Sequence, residues 1–253
     1  MLDQLGRLLV AALGSAPYVS TMRRRSETWL DVGKMRGTAM IWPRWARILV
    51  VIAVAAAVVI SVPGLRLPIL RAAGWALVVD EPVGPADVIV ISPSARGSGV
   101  LEAADLFHRG IAKRVVIFAE PPDAEDREFI RRGIPYEDHA ATATRQLTAL
   151  GVNVIDRIAL DYEGTEAEVR ALASWCDLHQ IRSVVVVCER DHSRRFRRVL
   201  LRSMNRDQTK VMVRPAHHSS FDPDRWWKTR RGIRTQAIEL QKLLLDILRH
   251  PIS

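Results

Sequence analysis

Cysteine and the familiar catalytic motifs are scarce in this chain. Only Cys176 and Cys188 occur among its 253 residues, and two are too few for a cysteine-rich structural zinc site. Both lie in apolar surroundings, where a free buried thiol is common, although a disulfide is permitted outside the cytoplasm. No internal repeat, P-loop, GxGxxG or GxSxG motif is present. Any functional site must therefore be built from less familiar parts.

Charge is absent from one long apolar run, the 18 residues from Ile48 to Leu65. As a helix this run would measure about 27 Å, close to the hydrocarbon thickness of a bilayer. The alternative is a buried core helix, but such a helix rarely lacks a polar face over its whole length. Trp42 and Trp45 stand where interfacial aromatic side chains are expected. The run therefore predicts a transmembrane anchor, since no small-x-small cleavage site follows it closely.

Basic residues before the run set the predicted orientation. Residues 1–47 contain eight Lys and Arg against three Asp and Glu, whereas only Arg66 and Arg71 follow the run closely. The positive-inside rule then places the N-terminus in the cytoplasm and the remainder outside the inner membrane. The expected organisation is a basic cytoplasmic segment (1–47), an anchor (48–65), a connector (66–84) and a folded domain (85–253). Residues 1–39 are either disordered or an upstream extension, if translation begins at Met35 or Met40.

Short β-branched runs alternate with helical patterns from Asp87 onward. The runs are apolar on both faces, which is typical of parallel strands covered by helices. The predicted strands are 87–92, 114–119, 157–161, 183–189 and 210–216. The predicted helices lie near 100–109, 125–132, 138–150, 165–179, 192–204 and 232–249. This βα order predicts an α/β domain with a Rossmann-like, open, mainly parallel five-stranded sheet and helices on both faces.

The C-terminal part of the chain combines apolar and basic features. One side of the last predicted helix is expected to cover a face of the sheet; it carries Ile233, Ala237, Leu240, Leu244 and Ile247. Trp226 and Trp227 are expected to pack in the core or at a membrane interface rather than to act in catalysis. Residues 190–234 hold fourteen Lys and Arg against four Asp and Glu, which favours phosphate, anionic lipid or nucleic acid as a partner. A location outside the cytoplasm argues against nucleic acid.

The segment after the fourth strand, Glu189 to Arg195, contains the strongest candidate site. In an open parallel sheet, ligands bind beyond the carboxyl ends of the strands. Asp191 is a natural N-cap for the next helix. His192 is a candidate proton shuttle and Arg195 a candidate anion clamp, both near the positive end of that helix. The alternative is a surface helix with solvated arginines.

Three other loops provide weaker candidates. Thr165 and Glu168 have the spacing of a capping box, which explains them without a substrate, but Glu168 is also a candidate general base. The loop after the first strand carries Ser92, Ser94 and Arg96, and it is either an anion cradle or an ordinary connector. Glu120 opens an acidic stretch after the second strand, either a lid or a solvated loop. No metal site is expected, and these residues identify no cofactor.

Five segments of the chain, taken together and in order, resemble the SanA/ElyC/YdcF family of bacterial envelope proteins. The segments are ALVVDEPVGPADVIVIS, LEAADLFHRGIAKRVVIFAE, ALGV, GTEAEV and ERDHSRRFRRVL. The resemblance covers about residues 76–249. This chain departs from the common pattern after the first strand, where Ser92, Pro93 and Ser94 replace the usual glycines. It also departs at Glu168, where many relatives carry Asn.

The resemblance implies a Rossmann-like fold and, for anchored members, a role in envelope integrity or in peptidoglycan-precursor and lipid-carrier metabolism. The first hypothesis is therefore binding or transformation of a phosphate-bearing envelope intermediate, such as a polyprenyl-phosphate-linked saccharide. In that hypothesis His192 donates or accepts a proton, Arg195 clamps phosphate, and Ser92, Ser94 and Thr165 provide hydrogen bonds. The alternatives are a non-catalytic envelope scaffold that binds anionic lipid or a partner protein, and a nucleotide-binding enzyme.

Overall fold

Five parallel strands form the centre of the protein in a computed structural model, which describes residues 43–162, 164–204 and 208–251. The strands are β1 (Val88–Ile91), β2 (Val115–Ala119), β3 (Ile155–Ala159), β4 (Ser183–Cys188) and β5 (Lys210–Pro215). Their order in the sheet is β3-β2-β1-β4-β5, and every neighbouring pair is parallel. The predicted α/β fold with a five-stranded parallel sheet is confirmed. The third strand begins two residues earlier than predicted.

Helices cover both faces of this sheet. The helices of the described residues are α1 (Arg44–Ser61), α2 (Pro63–Trp75), α3 (Arg96–His108), α4 (Ala124–Arg131), α5 (His139–Ala149), α6 (Thr165–His179), α7 (Ser193–Ser203) and α8 (Arg230–Arg249). Alternate residues of β1 point to opposite sides, so Val88 and Val90 pack with α6 and α7, whereas Ile89 and Ile91 pack with α3 and α5. This two-sided burial explains why the strands are apolar throughout. Cys176 and Cys188 are free thiols buried in the first of these two cores.

Two helices occupy the apolar run that was predicted to span a membrane. α1 ends at Ser61 and α2 begins at Pro63, and Val62 between them is extended, with φ −102° and ψ 104°. The break has a local cause, because the residue before a proline disfavours helical geometry. Among the residues that the structure describes, no helix is both long and apolar enough to cross a membrane. The predicted transmembrane helix from Ile48 to Leu65 is therefore not supported. Trp42 and the predicted cytoplasmic segment before it lie outside the described residues.

The predicted connector, residues 66–84, is an integral part of the folded unit of residues 51–253. Leu77 and Val78 are buried in a third cluster with Phe221 and Leu243. The amide of Glu81 donates to the carbonyl of Val213 (3.2 Å), and the Glu81 carboxylate accepts from the Val213 amide (2.8 Å). These bonds satisfy main-chain groups of the edge strand β5 that would otherwise be open to pairing with another chain.

α8 buries a different face from the predicted one. Its buried residues are Gly232, Gln236, Glu239 and Leu243. Ile233 and Leu244, on the predicted face, are 50% and 51% exposed. The long-range reason is that Gln236 donates to the carbonyl of Ala73 in α2 (2.8 Å) and Glu239 pairs with side chains of α7 and α8. These bonds offset part of the cost of burying the two polar side chains, although Gln236 Oε1 is buried without a hydrogen-bond partner among the described residues.

Candidate functional site

A cavity of about 490 Å³ lies beyond the carboxyl ends of β1 and β4. The chain leaves β1 and β4 toward opposite edges of the sheet, so the following loops diverge and leave a crevice there. This cavity is called the main cavity because most of the candidate site residues line it. It is lined from five parts of the chain: Ser94, Ala95, Arg96 and Ser98 after β1; Gly164, Thr165 and Glu168 at the start of α6; Glu189, Asp191, His192 and Arg195 after β4; His218, Ser220 and Phe221 after β5; and Arg231, Gly232, Thr235, Glu239 and Lys242 on α8.

The structure brings seven of the nine candidate site residues to this cavity. They are Ser94, Arg96, Thr165, Glu168, Asp191, His192 and Arg195. The other two, Ser92 and Glu120, line a smaller cavity of about 130 Å³ beside β1 and β2, and Arg96 lines both cavities. Ser92 is nevertheless joined to the main cavity, because its hydroxyl bonds to Glu168.

His192 and Arg195 belong to a hydrogen-bonded group that sequence patterns did not reveal. Arg195 Nη2 lies 2.8 Å from His192 Nδ1, and Arg195 Nη1 donates to Thr165 Oγ1 at 3.2 Å. The same guanidinium lies 3.3 Å from Glu239 Oε2, and Lys242 Nζ lies 2.6 Å from Glu239 Oε1. The charge of Arg195 is therefore matched inside the protein, and its role as an anion clamp stays a prediction.

His192 is held as a neutral ring. Guanidinium has no acceptor atom, so the short contact requires that Arg195 donates to Nδ1 and that the proton of the ring is on Nε2. Burial, together with the charge of Arg195, lowers the pKa of His192 despite the nearby Glu239. Nε2 faces Thr165 Oγ1 at 3.4 Å. This arrangement favours His192 as a hydrogen-bond donor over a role as proton acceptor at Nε2.

Glu239 is the fixed negative charge of the site. Burial alone would raise its pKa, but the hydrogen bond from Lys242 and the charge of Arg195 lower it to about 2. Arg195 and Lys242 both donate to Glu239, which explains why an ionised carboxylate is stable on the buried face of α8.

Glu168 has the opposite environment. It is 6% exposed, and burial raises its pKa to about 7, a rise to which the charge of Glu120 adds. Its Oε2 accepts from Ser92 Oγ at 2.8 Å. The expected capping box with Thr165 is wrong, because α6 has Gly164 as its N-cap and no side-chain cap bond.

Asp191 is a second carboxyl group that titrates near neutral pH. Burial and the charge of Glu189 raise its pKa to about 6. Its predicted role as the N-cap of α7 is wrong, because the N-cap is His192 and no side chain caps this helix. Asp191 lies instead in a short 3₁₀ turn, Arg190–His192, between β4 and α7. Glu189, beside it, accepts from Ser98 Oγ at 3.0 Å.

Two cations of the main cavity have no internal partner. Neither the Arg96 side chain nor the Arg231 side chain makes a hydrogen bond or ion pair with another residue in the described ranges, and both are exposed. Arg96 also has φ 43°, a backbone conformation that L-residues other than glycine rarely adopt and that often marks functional sites. Arg231 was missed from sequence, although the basic run at the start of α8 was a usable signal.

The described part of the chain contains no group of His, Cys, Asp and Glu side chains that could hold a metal ion. What the site offers is therefore two unpaired guanidiniums, two carboxyl groups that titrate near neutral pH, and the hydrogen-bond donors of Thr165 and His192.

Comparison with known proteins gives no family for this chain. No protein-family model and no curated protein matches it. Among solved structures it is similar to the universal stress protein from Archaeoglobus fulgidus in complex with dAMP, at 13% identity and a TM-score of 0.32, over 51% of this chain and 96% of that one. It is also similar to the rRNA methyltransferase aviRa from Streptomyces viridochromogenes, at 16% identity and a TM-score of 0.26, over 60% and 73% of the two chains. At these TM-scores neither likeness bears on function.

Proposed function

We propose that the domain binds an anionic, phosphate-bearing ligand in the main cavity and carries out acid–base chemistry on it. The observation that carries this proposal is the pair Arg96 and Arg231, which line the cavity without an internal partner among the described residues. Guanidinium groups bind phosphate oxygens through paired, charge-assisted hydrogen bonds. An unpaired arginine at a cavity therefore favours an anionic ligand over a neutral one.

The carboxyl groups of the cavity are compatible with such a ligand. Glu168 and Asp191, with pKa values of about 7 and about 6, are protonated for part of the time near neutral pH and then do not repel an anion. A group that titrates near the working pH is also an effective proton donor or acceptor. His192 Nε2 and the hydroxyl of Thr165 add hydrogen bonds to ligand oxygens.

The resemblance to SanA/ElyC/YdcF proteins narrows the proposed ligand to a phosphate-bearing envelope intermediate. In this proposal the ligand is a lipid-carrier-linked or saccharide-linked phosphate used in cell-envelope biogenesis. The excess of basic residues in 190–234 supports a polyanionic ligand.

Binding of inorganic pyrophosphate to the full chain tests this proposal by calorimetry. Arg231→Ala and Arg96→Ala should each weaken binding by about tenfold or more, since a hydrogen bond to a charged group contributes about 1.5 to 3 kcal/mol. Arg109→Ala is the matched control, because Arg109 is exposed at the end of α3 and does not line the cavity. Unchanged pyrophosphate affinity in the Arg231 and Arg96 variants would rule out the cavity as the anion site.

A non-catalytic scaffold is the second candidate function, and the exposed face of α8 favours it. Ile233 is 50% exposed at the basic start of the helix, and Leu244 and Leu248 are 51% and 77% exposed toward its end. Exposed apolar residues next to cations are typical of surfaces that bind anionic lipid or a partner protein. This function requires the α8 face and leaves the main cavity without a role.

A location outside the cytoplasm stays a prediction, based on the basic residues before residue 48. A reporter enzyme that is active only outside the cytoplasm, fused after Ser253, should be active in cells. The same fusion without residues 1–65 should lose that activity. Activity of a cytoplasm-dependent reporter at the same position would contradict the predicted location.

A further inference from the structure

Three side chains form a hydrogen-bonded line from the main cavity into the protein. Ser94 is exposed and lines the cavity, Ser92 is fully buried, and Glu168 is 6% exposed. Ser92 Oγ lies 3.0 Å from Ser94 Oγ and 2.8 Å from Glu168 Oε2. The line joins the loop after β1 to the first turn of α6, so two separate elements build it.

The number of protons in this line fixes its direction. When Glu168 is ionised, the one hydroxyl proton of Ser92 is donated to it, so Ser92 Oγ can only accept from Ser94. The hydroxyl proton of Ser94 then points into the protein, and the lone pairs of its Oγ face the cavity. A serine whose proton is held by a base through hydrogen bonds is the arrangement that activates a nucleophile.

We propose that Ser94 is a nucleophile of the main cavity, activated through Ser92 by the carboxylate of Glu168. The assignment of a phosphoanhydride as its substrate rests on the function proposed above, whereas the assignment of the nucleophile rests on the hydrogen-bonded line alone. A purely structural role explains the bond between Ser92 and Glu168, but it does not explain why a second hydroxyl, on the cavity wall, completes the line.

The proposed reaction needs water as its only further reactant. In the first step the Oγ–P bond forms and the bond from phosphorus to the leaving phosphate breaks. The Ser94 proton passes to Ser92, the Ser92 proton passes to Glu168, and the leaving phosphate departs as an oxyanion. Water then attacks phosphorus, the Oγ–P bond breaks, and Glu168 returns a proton through Ser92 to Ser94. Both protons of the attacking water leave with the released phosphate.

Several charged groups surround this base and affect its titration. Glu120, after β2, raises the pKa of Glu168, and Arg195, from α7, lowers it. The Cys188 thiol of β4 is also within electrostatic reach. Asp191 and His192 line the same cavity. An inflection in the pH dependence of the labelling rate is therefore assigned to Glu168 only if it disappears when Glu168 is replaced.

An alkyl fluorophosphonate tests the nucleophile on the full chain, because fluoride leaves from phosphorus without a proton donor. Mass spectrometry should locate the adduct on Ser94, and the labelling rate should rise with a midpoint near pH 7 to a plateau as Glu168 ionises. Glu168→Gln and Ser92→Ala should slow labelling by about a hundredfold, within the usual contribution of general-base catalysis. Ser92→Thr, which keeps the hydroxyl, should restore most of the rate and show that the effect is not a loss of folding.

Ser94→Ala should abolish the adduct, and because Ser94 is exposed this variant should fold normally. Ser203→Ala, at the end of α7 and away from the main cavity, should label like the wild type. Absence of an adduct on Ser94 in the folded wild type, or equal labelling in Glu168→Gln, would overturn the inference. An adduct on Ser94 without pyrophosphate binding would keep the nucleophile and overturn the proposed ligand class.

Discussion

At the scale of single residues, the main cavity places two glutamate side chains, Glu239 and Glu168, in opposite electrostatic environments. Glu239 accepts bonds from Arg195 and Lys242 and keeps its charge, whereas Glu168 is buried and accepts a bond from Ser92. The difference has a thermodynamic consequence. A carboxyl whose pKa is raised by folding makes the folded state bind more protons than the unfolded state between the two pKa values. Stability then falls as the pH rises through that window.

Glu168→Gln should therefore stabilise the protein at alkaline pH. The pKa of Glu168 is about 7 against an ordinary value of 4.5. Between about pH 5 and about pH 8 the variant should gain about 2 to 3 kcal/mol of unfolding free energy relative to the wild type. Urea unfolding at both pH values measures this difference. Glu166→Gln is the control, because Glu166 lies on the exposed side of the same helix. A wild type and Glu168 variant with parallel pH dependence would contradict the buried-acid assignment.

The residue types of the site could be predicted from sequence, but the partners and charge states of their side chains could not. The position of His192 and Arg195 follows from the start of a helix after a strand, which any βα unit delivers to the same edge of the sheet. The partner that neutralises Arg195 is Glu239, 44 residues later on α8. No local spacing connects these two residues, so the sequence could not show that Arg195 is paired with Glu239.

At the scale of elements, α2 depends on close approach to the loop before α8. Trp226 Nε1 donates to the carbonyl of Leu70 at 2.8 Å, and a Cβ placed on Gly74 would lie 2.2 Å from the carbonyl oxygen of Pro223. That contact is with backbone, which cannot rotate away. Glycine is therefore required at this position by packing and not by its backbone angles.

Gly74→Ala should destabilise the protein by about 1 to 3 kcal/mol, the usual cost of overpacking. Gly64→Ala is a control in the same helix, because nothing lies within 4 Å of a Cβ there. It should be neutral or stabilising by up to about 1 kcal/mol, since alanine is the better helix former. Thermal and urea unfolding of the two variants measures the contrast. Equal effects would show that α2 does not pack on this loop.

Strands and helices differed in how well the sequence predicted them. A run such as Val88–Ile91 is buried on both faces, so the strand can be predicted without deciding which of its faces is buried. The prediction of the parallel sheet was correct for this reason. α8 has apolar residues around much of its circumference, and periodicity alone could not select the buried side. Gly232 and Gln236 selected it instead, through contacts with Trp226 and with Ala73 in α2.

At the scale of the whole molecule, the boundary of the folded unit lies earlier than residue 85. Residues 66–84 contribute the buried Leu77 and Val78 and the carboxylate of Glu81, which accepts from Arg197 at 2.5 Å and from the Val213 amide at 2.8 Å. Their partners come from α7, β5 and α8. The connector therefore ties the C-terminal elements together and is not a spacer.

Two truncations distinguish these boundaries. A protein without residues 1–65 keeps the carbonyls of Leu70 and Ala73 that accept from α8 and its preceding loop, so it should unfold cooperatively in urea. A protein without residues 1–84 also loses Leu77 and Val78, whose burial contributes about 1.5 to 3 kcal/mol each. Because a domain of this size has about 5 to 15 kcal/mol of stability in total, the second truncation should lose a large fraction of it or fail to fold. Equal urea midpoints for the two proteins would contradict the claim that residues 66–84 are part of the fold, and the domain would then begin at residue 85. A first truncation without a cooperative transition would instead make residues before Arg66 part of the fold.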